Sequence, residues 1–302
     1  RWVMIVLVVS MHAAVTYSHL GSWYFMEDPK PGLALTVVFA TYQTFLQAFF
    51  MGLLFLIAGY FVPGAFDRKG FWKFLRDRAV RLGMPSLLFM LLVQPFTVYW
   101  LLPSSGHSHA PLFRAYWLYL SSGRFFSGSG PMWFTVALLL FSLVYGVVRR
   151  VGVKMPQTEP DAPLPGTRQL ILLPLVSGLC TFLVRTVQPM GTSVLNMQLC
   201  YFSQYILLFI VGIHAWRRNW LLRIPYALGM RWFTLTLTVG SLAWLGFIFA
   251  ILKTHSESKL SGGFTWQSAV LSFWESFFCV GTCLGLLVLF REKCNRQGGF
   301  AH

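Results

Sequence analysis

Apolar residues in this chain neither alternate nor keep to one helical stripe. They run in blocks, most of them about 17–28 residues long, the length a helix needs to cross bilayer hydrocarbon. Short polar or basic segments divide the blocks, which predict spans at 2–19, 33–62, 85–102, 131–148, 169–188, 200–216, 232–252 and 266–290. The second is the longest and is expected to tilt or to protrude. Hydrocarbon offers no partner to a free amide or carbonyl, so each span must be a helix. The expected fold is an all-α, polytopic integral membrane helix bundle with about eight transmembrane helices.

Composition strengthens that picture. Only 11% of the 302 residues are charged and 56% are hydrophobic, whereas a soluble domain carries roughly 25% charged residues. The formal net charge is +15. Its distribution argues against a nucleic-acid partner, because the basic residues sit in short loops between apolar blocks rather than on one soluble face. With eight spans, eighteen of the 24 Lys and Arg fall on the side that holds both ends, and six fall on the other. This asymmetry predicts cytoplasmic ends.

Two cytoplasmic segments have their own character. Residues 66–84 mix bulky apolar and basic side chains, as an interfacial helix does. Lys73–Asp77 and Asp77–Arg81 are expected to pair along it at i,i+4. Residues 149–168 carry Pro156, Pro160, Pro163 and Pro165 and predict a plain linker. The rest is expected to be one transmembrane domain over 1–302, cut at both ends from a longer chain. The five cysteines supply no disulfide framework. His107 and His109 have no acidic or cysteine partner at metal-ligand spacing, so no metal is expected.

The polar residues inside spans carry the candidate chemistry. Arg1 and His12 are eleven residues apart, three helical turns plus about 20°, so they share a stripe. They are separated axially by roughly 16 Å, which puts His12 near mid-membrane when Arg1 is at the cytoplasmic edge. His19 would carry the stripe to the outer mouth. A neutral histidine at that depth can take a proton from a hydroxyl as its oxygen attacks an acyl group; the bland alternative is a histidine bonded between helices. Arg78 and Arg81, an Arg-x-x-Arg pair, either grip phosphate or simply set topology. With Arg1 they would hold the phosphates of a nucleotide-bearing acyl donor. Glu275 is an acid deep in a span, with three roles open: orienting His12, staying protonated, or pairing with Arg185. Gln47 and Gln43 line a cavity or glue helices, and Trp133 is a substrate platform or an interface anchor.

Four stretches resemble the acyltransferase-3 family of membrane acyltransferases, which includes bacterial O-acetyltransferases and glucan-biosynthesis succinyltransferase-like proteins. They are Arg1-x10-His12; Gln47-Ala-Phe-Phe-Met-Gly-Leu-Leu-Phe-Leu-Ile-Ala-Gly-Tyr-Phe61; Phe74-Leu-Arg-Asp-Arg-Ala-Val-Arg-Leu-Gly-Met-Pro85; and Trp274-Glu-Ser running to Phe290-Arg-Glu-Lys-Cys-Asn-Arg-Gln-Gly298. The resemblance implies that His12 is catalytic, and Glu275, from its place in a span, is kept beside it as a catalytic candidate. It also implies that Arg1, Arg78 and Arg81 handle an acyl-coenzyme A co-substrate with no tightly bound cofactor. The acceptor it implies is a hydroxyl on a cell-envelope glycan or an exported small molecule; Trp133, Gln47 and His19, singled out above, are the residues expected to meet it. It places the protein in a bacterial cytoplasmic membrane, with about ten spans in a usual member. Export of an envelope glycan or lipid-linked precursor is the alternative function for such a bundle.

Overall fold

A computed structural model describes residues 2–101, 111–152, 159 and 161–294. Helices dominate the described residues, with one isolated β-bridge between Val194 and Met197. Six helical runs are long and apolar enough to cross a membrane, and the 17-residue α1, Trp2–Ser18, is a shorter apolar helix. The chain is an all-α polytopic membrane bundle.

The observed helices fall on the expected apolar blocks, and a break in direction at Gly70 lies between the blocks 33–62 and 85–102. Stretches 33–62 and 85–102, expected as separate spans, lie in one helical run of 69 residues, Leu33–Leu101. It comprises α2 (Leu33–Arg78), α3 (Met84–Leu88) and α4 (Gln94–Leu101), joined through π-type turns at Ala79–Gly83 and Phe89–Val93. Direction changes at Gly70, where φ is 68° and ψ is 173°. Only glycine adopts that backbone region readily. The remaining helices are α5 (Leu112–Ser121), α6 (Trp133–Arg150), α7 (Thr167–Val187), α8 (Phe202–Arg217), α9 (Trp220–Arg223), α10 (Tyr226–Thr254) and α11 (Trp266–Lys293). Helix α5 lies where the sequence predicts only an outer loop, because its ten residues are too few to make a span.

The chain forms two compact units. The first holds Arg1–Gln43, Gly64–Met155 and Gly191–Leu199; the second holds Thr44–Pro63, Pro156–Met190 and Cys200–His302. In the first, Tyr42 Oη donates to Ser10 Oγ at 2.7 Å, and Gln43 Nε2 donates to Ser18 Oγ at 2.7 Å. These bonds pin the start of α2 to α1. Ser86 and Thr135 share a 2.6 Å bond that ties α3 to α6. Buried Phe74 packs edge-on to Phe66, which also meets Tyr145 of α6.

The expected i,i+4 pairs of Asp77 are replaced. Asp77 pairs with Lys69, eight residues away and across the break at Gly70; a straight helix would hold the two about 12 Å apart along its axis, and Lys73 and Arg81 remain electrostatic neighbours of the carboxylate. Arg149 binds Asp67 at 3.2 Å and lies over the Phe66 ring.

In the second unit, segment 44–63 and α8 cross with their backbones in contact. A Cβ on Gly59 would strike the carbonyl of Phe209, and one on Gly212 would strike the carbonyl of Leu56. Small residues allow such approach where lipid supplies no hydrophobic drive. Two described residues of the predicted linker 149–168, Glu159 and Ala162, are tied to α8 and α9. The Glu159 amide donates to the Arg217 carbonyl at 3.0 Å, and Arg223 Nη1 donates to the buried Ala162 carbonyl at 2.7 Å.

Candidate active site

The site in the first unit begins with how α1 ends. A helix leaves its last carbonyls without intrahelical donors. Here the Glu27 amide reaches back to the Thr16 carbonyl at 3.0 Å. His19 leaves the helix in the left-handed region, with φ of 57°, and its Nε2 donates to the Glu27 carbonyl at 2.6 Å. The Leu20 amide donates to Ser18 Oγ at 3.1 Å. Loop 19–32 is thereby folded back along α1. His19 therefore does not extend the His12 stripe: the helix stops at Ser18, and the His19 ring anchors the returning loop.

The fold-back brings Trp23 over His12. Their ring centroids are 4.0 Å apart and their planes are inclined by 21°. The His12 ring is half-buried and forms no hydrogen bond among the described residues. A histidine bonded between helices is thus not what is found. An imidazole held by stacking keeps its nitrogen lone pair available for a proton.

From Trp23 the contacts continue. Trp23 meets Tyr24 edge-on at 5.1 Å. Tyr24 Oη donates to Oε1 of buried Gln94 at 2.6 Å. Burial raises the Tyr24 phenol above its ordinary value, against the opposing effect of the Gln94 bond. Gly130, at φ 47°, sits where a Cβ would press on Tyr24 Oη and Phe89. Asn196 fixes that glycine, its Nδ2 donating to the Gly130 carbonyl at 2.9 Å and to Ser129 Oγ at 3.0 Å. Gly130 lies just ahead of the predicted span 131–148, and its tight packing against Tyr24 sets how that span begins. Trp133 itself is half-buried at the start of α6, with its ring 6.2 Å from Phe134.

The other sequence candidates are distributed. Arg1 lies outside the described residues. Arg78 is half-buried, its guanidinium 5.2 Å from the Phe74 ring centroid. Arg81 is exposed within the π-type turn Ala79–Gly83. The two guanidinium groups still act on each other electrostatically. Gln47 Nε2 donates to Tyr205 Oη at 3.1 Å in the second unit, and Gln43 to Ser18 in the first. Both therefore act as glue between helices.

Glu275 takes the third of its open roles. It is buried, and its Oε2 accepts from Arg185 Nη2 at 2.5 Å. Arg185 is 0% exposed, donates also to Ser272 Oγ at 3.1 Å and lies over the Tyr201 ring. An ion pair shielded from water on all sides must satisfy its own charge, and this one does so with two charged hydrogen-bonding groups and a serine. Trp23, Tyr24 and Gln94 are absent from the sequence reading. Their polarity is ordinary, and only the return of loop 19–32 gives them a place.

A family model described as an acyltransferase domain matches residues 1–299. The chain belongs to the acyltransferase-3 family. It is a membrane acyltransferase with several apolar helices that fit a multi-pass topology. No curated protein and no solved structure matches it. Within this acyltransferase, groups of three or more metal-binding side chains do not occur among the described residues.

Proposed function

We propose that the protein moves an acyl group from cytoplasmic acyl-coenzyme A to a hydroxyl of a cell-envelope glycan or an exported small molecule, with His12 as general base. The observation that carries this reading is the His12–Trp23 stack, which holds a half-buried imidazole with unengaged nitrogens in a chain of acyltransferase family. The acceptor hydroxyl gives its proton to His12 as its oxygen attacks the thioester carbonyl. The carbon–sulfur bond then breaks, and the leaving thiolate takes the proton from His12. General base catalysis of this kind is worth roughly 10²–10⁴-fold in rate.

Arg78 and Arg81, with Arg1, would hold the phosphates of the donor by charge-assisted bonds. The π-type turn at 79–83 gives Arg81 an exposed position from which to meet a soluble ligand. Glu275 then serves the bundle through Arg185 rather than the reacting atoms. The charge asymmetry supports an orientation with both ends of this chain on the cytoplasmic side, and the family resemblance supports a bacterial cytoplasmic membrane.

The test is acyl incorporation into envelope glycans of cells that express His12→Ala or His12→Gln at normal membrane levels. Incorporation should fall by about 100-fold or more. Unchanged incorporation would overturn the assignment of the base. Arg78→Ala with Arg81→Ala should raise the dissociation constant for acyl-coenzyme A, and an unaltered constant would remove the donor clamp.

A further inference from the structure

A cavity of about 500 Å³ opens between α4, α5 and the turn at 124–128, within the roughly 300–1,000 Å³ typical of small-molecule sites. All its lining residues belong to the first unit. Gln94 stands at its wall, and this is the amide that accepts from Tyr24 beside the Trp23–His12 stack. The cavity is thus joined to the catalytic candidate by a run of direct contacts: His12, Trp23, Tyr24, Gln94.

Its chemistry is specific. Four aromatic rings line it: Phe96, Tyr99, Tyr116 and Tyr119. Phe96 and Tyr116 are inclined to each other by 34° with centroids 6.5 Å apart. Tyr119 Oη is engaged with the Met90 carbonyl at 2.9 Å, which fixes that ring. The polar lining is Gln94, Ser122, Ser127 and Arg124, and no carboxylate lines the cavity among the described residues. Arg124 is exposed and has no ion-pair partner among the described residues. Flat rings suit the C–H face of a saturated ring, hydroxyls and an amide suit its oxygens, and an unpaired guanidinium suits an anion. A lipid tail would use the rings but would leave the guanidinium and the amide without a role.

The geometry points to this cavity as the seat of the acceptor, and to an anionic, polyhydroxylated ring compound, such as an acidic sugar, as the class it takes. This rests on the reading of the chain as an acyltransferase with His12 as base. Segments 94–101 and 112–128 lie on the face that the charge asymmetry assigns to the outside, opposite the donor arginines. A ring held against Tyr116 with its acid on Arg124 would sit at the Gln94 end of that run of contacts, as a docking subsite for one part of the acceptor while a hydroxyl on another part meets His12.

The experiment uses the full chain purified in a detergent without a sugar headgroup. Binding of p-nitrophenyl glucuronide, of the neutral p-nitrophenyl glucoside and of decanoate is measured by calorimetry. The glucuronide should bind at least tenfold more tightly than the glucoside. Arg124→Gln should abolish that difference while leaving glucoside binding as it was. Tyr116→Ala should weaken both sugars tenfold or more. His12→Ala should bind the glucuronide as the wild type does. Equal affinity for the two sugars, binding of decanoate alone, or no response to Arg124→Gln would each overturn the proposal. Glucuronide binding without any acyl transfer would leave the site standing and sink the acyltransferase chemistry. Acyl transfer without glucuronide binding would do the reverse.

Discussion

The imidazole of His12 and the indole of Trp23 lie nearly parallel at 4.0 Å between centroids, and they are the only large rings the fold-back of loop 19–32 places face to face among the described residues. Stacking of this kind is worth about 0.5–1.5 kcal/mol beyond simple burial. Here its use is geometric: it fixes the ring plane without occupying either nitrogen.

Trp23→Ala should therefore lower acyl transfer by about 100-fold, the scale expected when a catalytic group is misplaced by an ångström. Trp23→Phe, which keeps a flat ring, should retain most of the activity. Melting temperature in detergent checks that both variants are folded. Equal activity of the alanine and wild-type proteins would show that the stack does not position His12.

The Arg185–Glu275 pair makes a separate prediction about stability. Both groups are buried, at 0% and 3% exposure. Removing one leaves the other charged and alone, so Arg185→Met should cost about 3–5 kcal/mol. The double variant Arg185→Met with Glu275→Met should recover most of that loss, since a buried pair is often replaceable by apolar residues. Unfolding in mixed micelles measures both. If the double variant is as unstable as the single, the pair is stabilising beyond its own charge balance. If neither variant is destabilised, the pair is not shielded as the structure shows it.

Tyr119 supplies a pH signature. Burial, then the neighbouring Tyr24 and Tyr116, push its phenol up to about 12. An unfolded chain ionises that phenol near its ordinary value of about 10. Between about pH 10 and 12 the unfolded state therefore binds fewer protons, and stability falls as pH rises through that window. Below it, Tyr119 makes no pH-dependent contribution. A difference titration of phenolate absorbance, wild type against Tyr119→Phe, should show one component with its midpoint near 12. A midpoint at the ordinary tyrosine value would mean that the hydroxyl reaches water freely.

Much of the bundle is legible in the sequence, because span length and apolarity are one-dimensional properties. The blocks at 131–148, 169–188, 200–216, 232–252 and 266–290 reappear as α6, α7, α8, α10 and α11 with their ends moved by a few residues. Gly59 is legible too, as a small residue in a span, and it does meet a backbone. The way the helix expected at 66–84 joins its neighbours is not legible, since it depends on a single backbone break at Gly70 and on π-type turns that follow it. His12 and Glu275 stand out because polar residues in hydrocarbon need a reason. The partners of His12 do not stand out. Trp23, Tyr24 and Gln94 have unremarkable neighbours in sequence, and their roles depend on one backbone bond, one bond from the His19 ring to a backbone carbonyl and one left-handed residue at the end of α1.

That left-handed exit at His19 has a consequence for how the protein is made. His12 and Trp23 are eleven residues apart in the chain, so the loop between them closes at small entropic cost. A contact so local forms early, before pairings between distant helices are available. His12, the proposed base, and the Trp23 ring stacked on it can thus leave the ribosome as a single module, set in place while helices α2 to α11 have yet to be synthesised.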